Sequence, residues 1–338
     1  MFCLKHIILN TAQSGSFPRA DEAGAQAVDE EDIKTLEEWT TELEDLGIKV
    51  DSNQTVSDAA GDVAPGASRP KDMTYTEAAS AAGTMWITDD LAAAKEYAAK
   101  GKPVLGLLTD ENPGPDTIGI PYLAYDLTEI EPKYLEEAYR RQAGIPCDIL
   151  ETERCLVRET TLSDADAFYQ IYADPSITAH MEDLPKDRDA FRAWLEGYTR
   201  NVYALFEYGI WTVCLKDQAT AEAGSVPKTP TEAHCMPQAS AAATIIGRAG
   251  LNLREGFDDP ELGFVIAKQW QGQGLAFEVC SAILEHAREI GLPKVIAFSE
   301  SENKASVKLL TKLGFTAQGK IPLDGRECIQ FSKQLVSI

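Results

Sequence analysis

The chain has 338 residues, of which 44% are hydrophobic, and a formal net charge of −23. At about 150 residues per domain, this length predicts two domains with ordinary apolar cores. No uninterrupted apolar stretch approaches the roughly 18 residues that a membrane span needs, so no membrane is expected as a partner. The opening residues are typical of a first strand rather than a signal peptide, because no small-residue cleavage site follows them.

The net charge and the cysteines indicate which partners and which cellular compartment to expect. Residues 1–150 contribute −16 and the remainder −7. Such an acidic surface repels phosphate backbones, so nucleic acid is not expected as a partner. Acidity mildly favours cationic partners such as amines, although solubility alone also explains it. The seven cysteines show no C-x-x-C motif, which favours reduced thiols in the cytoplasm, and the four histidines show no spacing typical of a metal site.

Up to about residue 150, apolar runs alternate with helical stretches around a loop rich in Pro, Gly and Ser at 56–72. This alternation predicts a parallel sheet covered on both faces, as in a Rossmann-like three-layer α/β domain spanning 1–149. Strands are predicted at 4–9, 48–50, 84–88, 103–108 and 118–127, and helices at 29–47, 89–100 and 131–143.

From residue 150 the order of elements changes, which predicts an α+β domain spanning 150–338. The stretch 221–240 has no periodicity and is predicted to be a mobile loop. Strands are predicted at 155–160, 208–217, 243–253, 261–270, 293–301 and 326–334, and helical segments at 162–206, 275–290 and 303–313.

Two glycines separate a predicted strand from a strongly amphipathic helix, in Gln271-Gly272-Gln273-Gly274. The first amides of a helix have no partner within the helix and lie at the positive end of its dipole. Glycines allow an anion to approach these amides closely, so a diphosphate would suit the site. A plain strand–helix turn is the alternative explanation for the same letters.

The motifs around this loop occur in a familiar order. Gln271, Gly274 and Ala276 after an apolar strand resemble the acetyl-CoA signature of the GNAT family of N-acetyltransferases. Downstream, SESENKASVKLLTKLGF is similar to the second cofactor segment of that family. Upstream, ETERCLVRETTLSDADAF resembles the branch that includes the ribosomal-protein N-terminal acetyltransferases. The resemblance covers about 150–335 and implies a GNAT α+β fold with a mixed, splayed sheet.

The resemblance also implies residues that bind acetyl-CoA, the expected co-substrate. Pantetheine inserts between two splayed strands in this family, at positions that match Phe264, Val265 and Ile266 here. The matching diphosphate contacts are Gln271 and the amides of Gly272, Gln273, Gly274, Leu275 and Ala276. Asn303 would reach the pantetheine, or would instead cap the helix that follows it.

The family's chemistry is direct attack of a neutral amine on the thioester in a ternary complex, helped by positioning and by a backbone N–H near Ile266. An ammonium acceptor must first lose a proton. The resemblance makes Glu261 the first candidate for this step, with Glu300 and Glu302 as alternatives. Many relatives have a Tyr acid at the position of Leu310, so the proton donor for the thiolate stays unassigned.

The expected acceptor is a primary amine on a small molecule or at a peptide N-terminus, and a homodimer is left open. The alternative function is a catalytically inactive sensor or scaffold that binds acyl-CoA, which the missing Tyr favours.

A fainter resemblance links the first half to the haloacid dehalogenase-like (HAD-like) phosphatases. Their Asp-x-Asp nucleophile motif falls on Asn10-Thr11-Ala12, their phosphate-binding position on Ser52, and their late acidic motif on Asp89 and Asp90. Asn cannot form an aspartyl-phosphate, and the Mg²⁺ ligands are lost with the carboxylates, so a degenerate domain without catalysis is expected. Phosphate-ester hydrolysis by this half is the opposing hypothesis, and a generic α/β domain is the plain alternative.

Overall fold

The computed structural model describes residues 3–10, 30–52, 83–108, 117–127, 129–180, 187–206, 208–216 and 244–336. The predicted loops at 56–72 and 221–240 lie outside these residues. The chain divides into two compact units, Met1–Ile145 and Pro146–Ile338, whereas the sequence predicts the boundary between residues 149 and 150. In the part of the chain that the structure describes, no helix is long and apolar enough to cross a membrane.

The first unit contains a parallel sheet with strand order β2-β1-β3-β4-β5. Its central strand β3 is buried at every position, as expected for a parallel sheet covered on both faces. The strands are β1 (His6–Asn10), β2 (Lys49–Ser52), β3 (Thr84–Thr88), β4 (Val104–Leu107) and β5 (Leu123–Ala124), and the helices are α1 (Glu30–Asp45), α2 (Leu91–Ala99) and α3 (Pro132–Gln142).

One predicted strand of this unit is much shorter than expected. The sequence predicts a strand over 118–127, but only Leu123 and Ala124 pair with β4. Gly119 has a positive φ of 94°, and Pro121 has no N–H to donate to a neighbouring strand. The apolar residues of this segment are therefore hydrophobic because Ile120 and Tyr122 are buried, and not because the segment forms a long strand.

The positions that carry the HAD-like resemblance lie at strand ends. Asn10 ends β1 and Ser52 ends β2, while Thr11 and Ala12 lie outside the described residues. The Asp90 carboxylate accepts hydrogen bonds from the amides of Ala92 and Ala93, so it caps α2. The HAD-like origin of the unit stays a prediction.

The second unit contains a mixed sheet with strand order β12-β13-β11-β10-β9-β8-β7-β6, in which only the β10–β11 pair is parallel among the described strands. Its strands are β6 (Asp148–Glu151), β7 (Cys155–Arg158), β8 (Ile210–Leu215), β9 (Thr244–Asn252), β10 (Glu261–Ile266), β11 (Lys294–Glu300), β12 (Thr316–Leu323) and β13 (Arg326–Gln334). Its helices are α4 (Ala165–Tyr172), α5 (Pro175–Thr178), α6 (Arg188–Val202), α7 (Leu275–Glu289) and α8 (Lys304–Lys312).

The two faces of this sheet are covered by different helices. Helix α7 buries Leu275, Val279 and Ile283 in a core formed with alternate residues of the central strands. Helices α4 and α6 pack together on the other face, around Phe168 and Phe191, with Ile245 of β9 against them. The sheet thus separates two differently built layers.

Three strand predictions need correction. The strand predicted over 261–270 ends at Ile266, and a 3₁₀ turn over Lys268–Trp270 follows it. Strands β6 and β12 were not predicted at all. Strand β12 lies at the sheet edge, is largely exposed, and contains Pro322 and a register shift near Gly319, so it has little of the apolar alternation that marks a strand.

Candidate functional site

Strands β10 and β11 are adjacent but barely paired. Glu261 and Ile296 are their single registered pair, whereas β10 pairs with β9 at every residue from Glu261 to Ile266. Strand β11 is likewise paired with β13 along its whole length. The two parallel strands therefore diverge beyond Glu261, and the backbone of Phe264, Val265 and Ile266 borders the resulting gap.

The loop beyond β10 leads into α7 with two residues in the left-handed conformation. Gly272 has a φ of 75° and Gly274, the N-cap, a φ of 82°, values that favour glycine over other residues. The amide of Glu278 donates to the carbonyl of Gly274. The amides of Leu275 and Ala276, earlier in the turn, consequently have no acceptor within the helix. The turn presents donors and the positive end of a helix of 15 residues, which suits an anion.

The side chains of this loop fix its shape. Gln271 donates from Nε2 to the carbonyl of Ile266 at 2.9 Å, and Gln273 donates to the carbonyl of Gln269 at 3.2 Å. The side-chain amides of Gln271 and Gln273 thus bind backbone carbonyls of the protein itself. The backbone N–H groups of the turn remain as the donors that a ligand could use.

Arg154 brings a positive charge to the same loop, which the sequence did not predict. Its Nη1 donates to the carbonyl of Gln273 at 3.0 Å, and its Nε donates to the Glu278 carboxylate at 2.7 Å. Burial raises the pKa of Glu278, but hydrogen bonds from Thr152 and Arg154 outweigh it and hold that pKa below its usual value. Glu278 is therefore ionised, and Arg154 neutralises its charge beside the glycine turn.

Asn303 precedes α8 and accepts a hydrogen bond from the Ser306 amide through Oδ1 at 3.1 Å. The capping role is therefore present. It engages only the oxygen, so the Nδ2 group is the part of the side chain that could donate to a ligand. Because β10 and β11 are parallel, Asn303 and the glycine loop lie at the same edge of the sheet.

Glu261 lies at the closed end of the gap, in an ion pair. Its Oε2 accepts from Nε of Arg254 at 2.6 Å, and the same guanidinium contacts Asp324 at 2.8 Å. A carboxylate held by a guanidinium is a weak proton acceptor, so this geometry does not favour Glu261 as a base.

Glu300 lies four residues along β11 from Ile296, which places it level with Val265 across the gap. Its carboxylate accepts from Nδ1 of His180 at 2.8 Å and from Nη1 of Arg326 at 2.9 Å. The hydrogen bond from His180, followed by that from Arg326, lowers the pKa of Glu300. Glu302, the other alternative, contacts the hydroxyl of its neighbour Ser301.

The position at which many relatives have a Tyr acid is fully buried here. Leu310 has no exposed surface and belongs to the core beneath α7 and α8. No proton donor can therefore come from this position, as the sequence implied.

Three side chains of the site region were missed by the sequence analysis: Arg154, His180 and Arg248. Each lies far in sequence from the residues that it contacts. Arg154 falls within the segment ETERCLVRETTLSDADAF that resembles the family, but nothing in that segment indicates its contact with the glycine loop. His180 follows α5 and meets Glu300 across 120 residues of chain.

Comparison with known proteins agrees with this geometry. A family model described as "Acetyltransferase (GNAT) domain" matches residues 154–316. The second unit is a GNAT acetyltransferase domain. The chain is accordingly an acyltransferase, and acetyltransferases of this family use acetyl-CoA.

Similar curated proteins match about half of this chain. An uncharacterized N-acetyltransferase of Bacillus licheniformis is 25% identical over 51% of this chain and 84% of its own length. An L-methionine sulfoximine/L-methionine sulfone acetyltransferase of Pseudomonas paraeruginosa is 24% identical over 51% of this chain and 86% of its own. A ribosomal-protein-alanine N-acetyltransferase of Escherichia coli is 36% identical over a shorter stretch, 22% of this chain and 40% of its own.

Among solved structures, a putative acetyltransferase from Salmonella typhimurium with its cofactor acetyl-CoA is 22% identical. It covers 54% of this chain and 95% of its own, with a TM-score of 0.39.

Proposed function

We propose that the second unit binds acetyl-CoA and transfers its acetyl group to a primary amine. The observation that supports this proposal is the unpaired stretch between β10 and β11, next to a helix start with unpartnered amides. The amides of Gly272 to Ala276 hold the diphosphate, and the backbone of Phe264 to Ile266 holds the pantetheine arm. Nδ2 of Asn303 donates to the same arm.

Bound acetyl-CoA would supply the activated acetyl group: the C–N bond to the acceptor forms as the C–S bond breaks, and the proton that the attacking nitrogen then loses passes through water to the leaving thiolate. The acceptor enters as an ammonium, so the chain must accept one proton before attack. We assign this role to Nε2 of His180. If the Glu300 carboxylate is ionised, Nδ1 of His180 carries the proton of their hydrogen bond, which leaves Nε2 with a lone pair.

Glu300 is then a positioning residue rather than the base. Its pKa is lowered, so the ionised carboxylate binds protons weakly near neutral pH. Arg326 fixes the carboxylate from the other side at 2.9 Å. Together the two contacts orient the imidazole of His180, which is 32% exposed and can therefore meet an acceptor.

Titration calorimetry with acetyl-CoA, followed by a thiol-release assay with amines, tests the proposed function. We expect 1:1 binding and release of free thiol that depends on an added amine. Absence of binding at millimolar acetyl-CoA, in protein shown to be folded, would overturn the proposal.

A second candidate function is a sensor that binds acyl-CoA without transferring it. The burial of Leu310, where many relatives have an acid, favours it. Binding of acetyl-CoA without thiol release across a broad panel of amines and peptides would select this function.

We propose that the first unit, Met1–Ile145, is a separate domain without phosphatase activity, because Asn10 stands where the HAD-like nucleophile would lie. Turnover of a generic phosphate ester that requires Mg²⁺ and is lost on substitution of Asp89 and Asp90 would refute this.

A further inference from the structure

Four residues form a row across the sheet of the second unit, on the face covered by α4 and α6. Arg158 of β7 is opposite Thr212 of β8, Thr212 is opposite Arg248 of β9, and Arg248 is opposite Val265 of β10. The row therefore contains two arginines and ends at the strand that borders the gap.

Arg158 is buried and neutralised. It is 5% exposed, and its two terminal nitrogens donate to the two oxygens of Asp164 at 2.7 and 2.8 Å. Such a bidentate pair is the usual way in which a protein compensates a buried guanidinium.

Arg248 is equally buried but has no carboxylate partner among the described residues. It is also 5% exposed, and its Nε, like that of Arg158, has no hydrogen-bond partner. Its guanidinium lies over three aromatic rings, and it hydrogen-bonds to the Tyr172 hydroxyl. The rings are those of Phe168 at 5.1 Å, Trp194 at 5.5 Å and Tyr198 at 5.8 Å from the guanidinium carbon.

Ring faces and one hydroxyl carry no net charge, so they offset the desolvation of a buried guanidinium less completely than a carboxylate does. Arg158, with the same exposure, has a full counter-charge, so the burial of Arg248 is better explained by an anion that arrives with a ligand.

The position of Arg248 indicates that this ligand is the acceptor. Among the residues that the structure describes, the core around Ile266 and Val279 fills the α7 face of the sheet, which leaves the α4–α6 face for the entry of an acceptor. Glu261 and Ile296 are opposite each other in parallel register, so their side chains lie on the same face of the sheet. Four residues further along each strand, Val265 and Glu300 lie on that same face. It is the α4–α6 face, because the neighbouring Ala297 lies in the α7 core. Arg248, Val265 and the His180–Glu300 pair therefore surround one approach to the thioester position.

We propose that Arg248 binds a carboxylate of the acceptor, so that the acceptor is an amine with a carboxylate nearby, as in a free α-amino acid. This inference rests on the proposed function. The guanidinium orients the acceptor through its carboxylate while the amine faces the gap. A peptide N-terminus, in which the neighbouring carboxyl is an amide, fits this arrangement poorly.

The test compares free L-amino acids with their own α-carboxamides as acceptors for the full-length protein, with acetyl-CoA and a thiol-release readout. Each pair shares side chain and amine and differs in the carboxylate. We expect the acid to be preferred by about 10- to 100-fold in kcat/KM, the effect of one charge-assisted hydrogen-bonded contact. Arg248→Met should reduce this ratio to near one, and Arg248→Lys should retain part of it.

The ratio of two substrates in one sample does not depend on how much of the variant is folded, so partial unfolding of Arg248→Met does not disturb the measurement. Arg200→Met is the matched control. Arg200 is exposed on α6 and paired with Glu196, so the ratio should stay at the wild-type value.

Equal turnover of acid and amide, or faster turnover of peptides than of amino acids, would overturn the assignment of Arg248. So would acetyl-CoA binding by calorimetry without acetylation of any amino acid. Failure of the proposed function itself is a different result, because the wild-type protein would then not bind acetyl-CoA at all.

Discussion

The anion-binding turn can be tested by placing a negative charge inside it. Gly274 has a φ of 82°, and a Cβ added there would meet only Nη2 of Arg154, at 3.6 Å. That distance is ordinary van der Waals contact. Gly274→Glu therefore costs the strain of a left-handed residue, about 1–2 kcal/mol, without a clash. We expect the protein to fold.

The effect on acetyl-CoA follows from Coulomb's law. A carboxylate about 5 Å from one diphosphate charge is repelled by about 1 to 3 kcal/mol at effective dielectric constants between 80 and 20. The diphosphate carries two such charges, and the side chain also covers the amides of the turn. The dissociation constant should therefore rise by about tenfold or more.

Gly291 provides a matched control. It has a φ of 83°, open space around its Cβ position, and lies just beyond the other end of α7. Gly291→Glu adds the same charge and the same backbone strain about 22 Å from the turn, given 1.5 Å per residue over the helix. Calorimetry with acetyl-CoA compares the two variants. Equal affinities for the two variants would refute the assignment of the diphosphate to this turn.

Three further predictions concern the acceptor base, the cap and the thiols. His180→Gln should lower kcat by about 100-fold near neutral pH, and the loss should shrink as pH rises because more acceptor is already deprotonated. A pH–rate profile at saturating acetyl-CoA measures this. Asn303→Asp keeps an N-cap oxygen but removes the amide donor, so its melting temperature should stay near wild type while calorimetry shows weaker acetyl-CoA binding. Burial raises the pKa of Cys155 to about 11 and that of Cys280 to about 12, so neither thiol should react with iodoacetamide at pH 8 in the native protein, as measured by peptide mass spectrometry.

Each of these has an outcome that contradicts it. Parallel pH profiles for wild type and His180→Gln would exclude His180 as the proton acceptor. Wild-type affinity in Asn303→Asp would leave Asn303 with its capping role alone. Alkylation of Cys155 or Cys280 without denaturant would contradict the packing around β7 and α7, and the denatured protein serves as the positive control.

The cofactor side of the site could be predicted because its determinants are contiguous in the chain. The glycines of 272–274, the amphipathic helix after them and Asn303 before its helix are local patterns with local physical meaning. The gap itself was expected only through the family resemblance. The sequences of β10 and β11 contain no pattern which indicates that these two neighbouring apolar strands remain largely unpaired.

The acceptor side could not be predicted in the same way. Arg248 meets rings from α4 and α6, which lie 50 to 80 residues away in sequence. His180 meets Glu300 only because the sheet brings the end of β11 beneath the α5 segment. An arginine in an apolar strand and a lone histidine after a short helix have no periodic signal, so tertiary packing alone identifies them.

These two kinds of determinant use different parts of the residues around the gap, backbone groups for the cofactor and side chains for the acceptor. The groups proposed to bind the cofactor are backbone groups around Val265 and in the glycine turn, and their geometry depends on strand pairing rather than on side-chain identity. Of the rings around Arg248, Phe168 belongs to a separate cluster on the α4–α6 face, whereas Tyr198 also packs against the core that supports α7. Arg248 contacts its rings through its side chain, whereas Val265 is proposed to hold the cofactor through its backbone. Substitutions of the Arg248 side chain should therefore change acceptor choice with little change in acetyl-CoA affinity. A substitution at Arg248 that altered both equally would mean that the two faces of the sheet are coupled through β10.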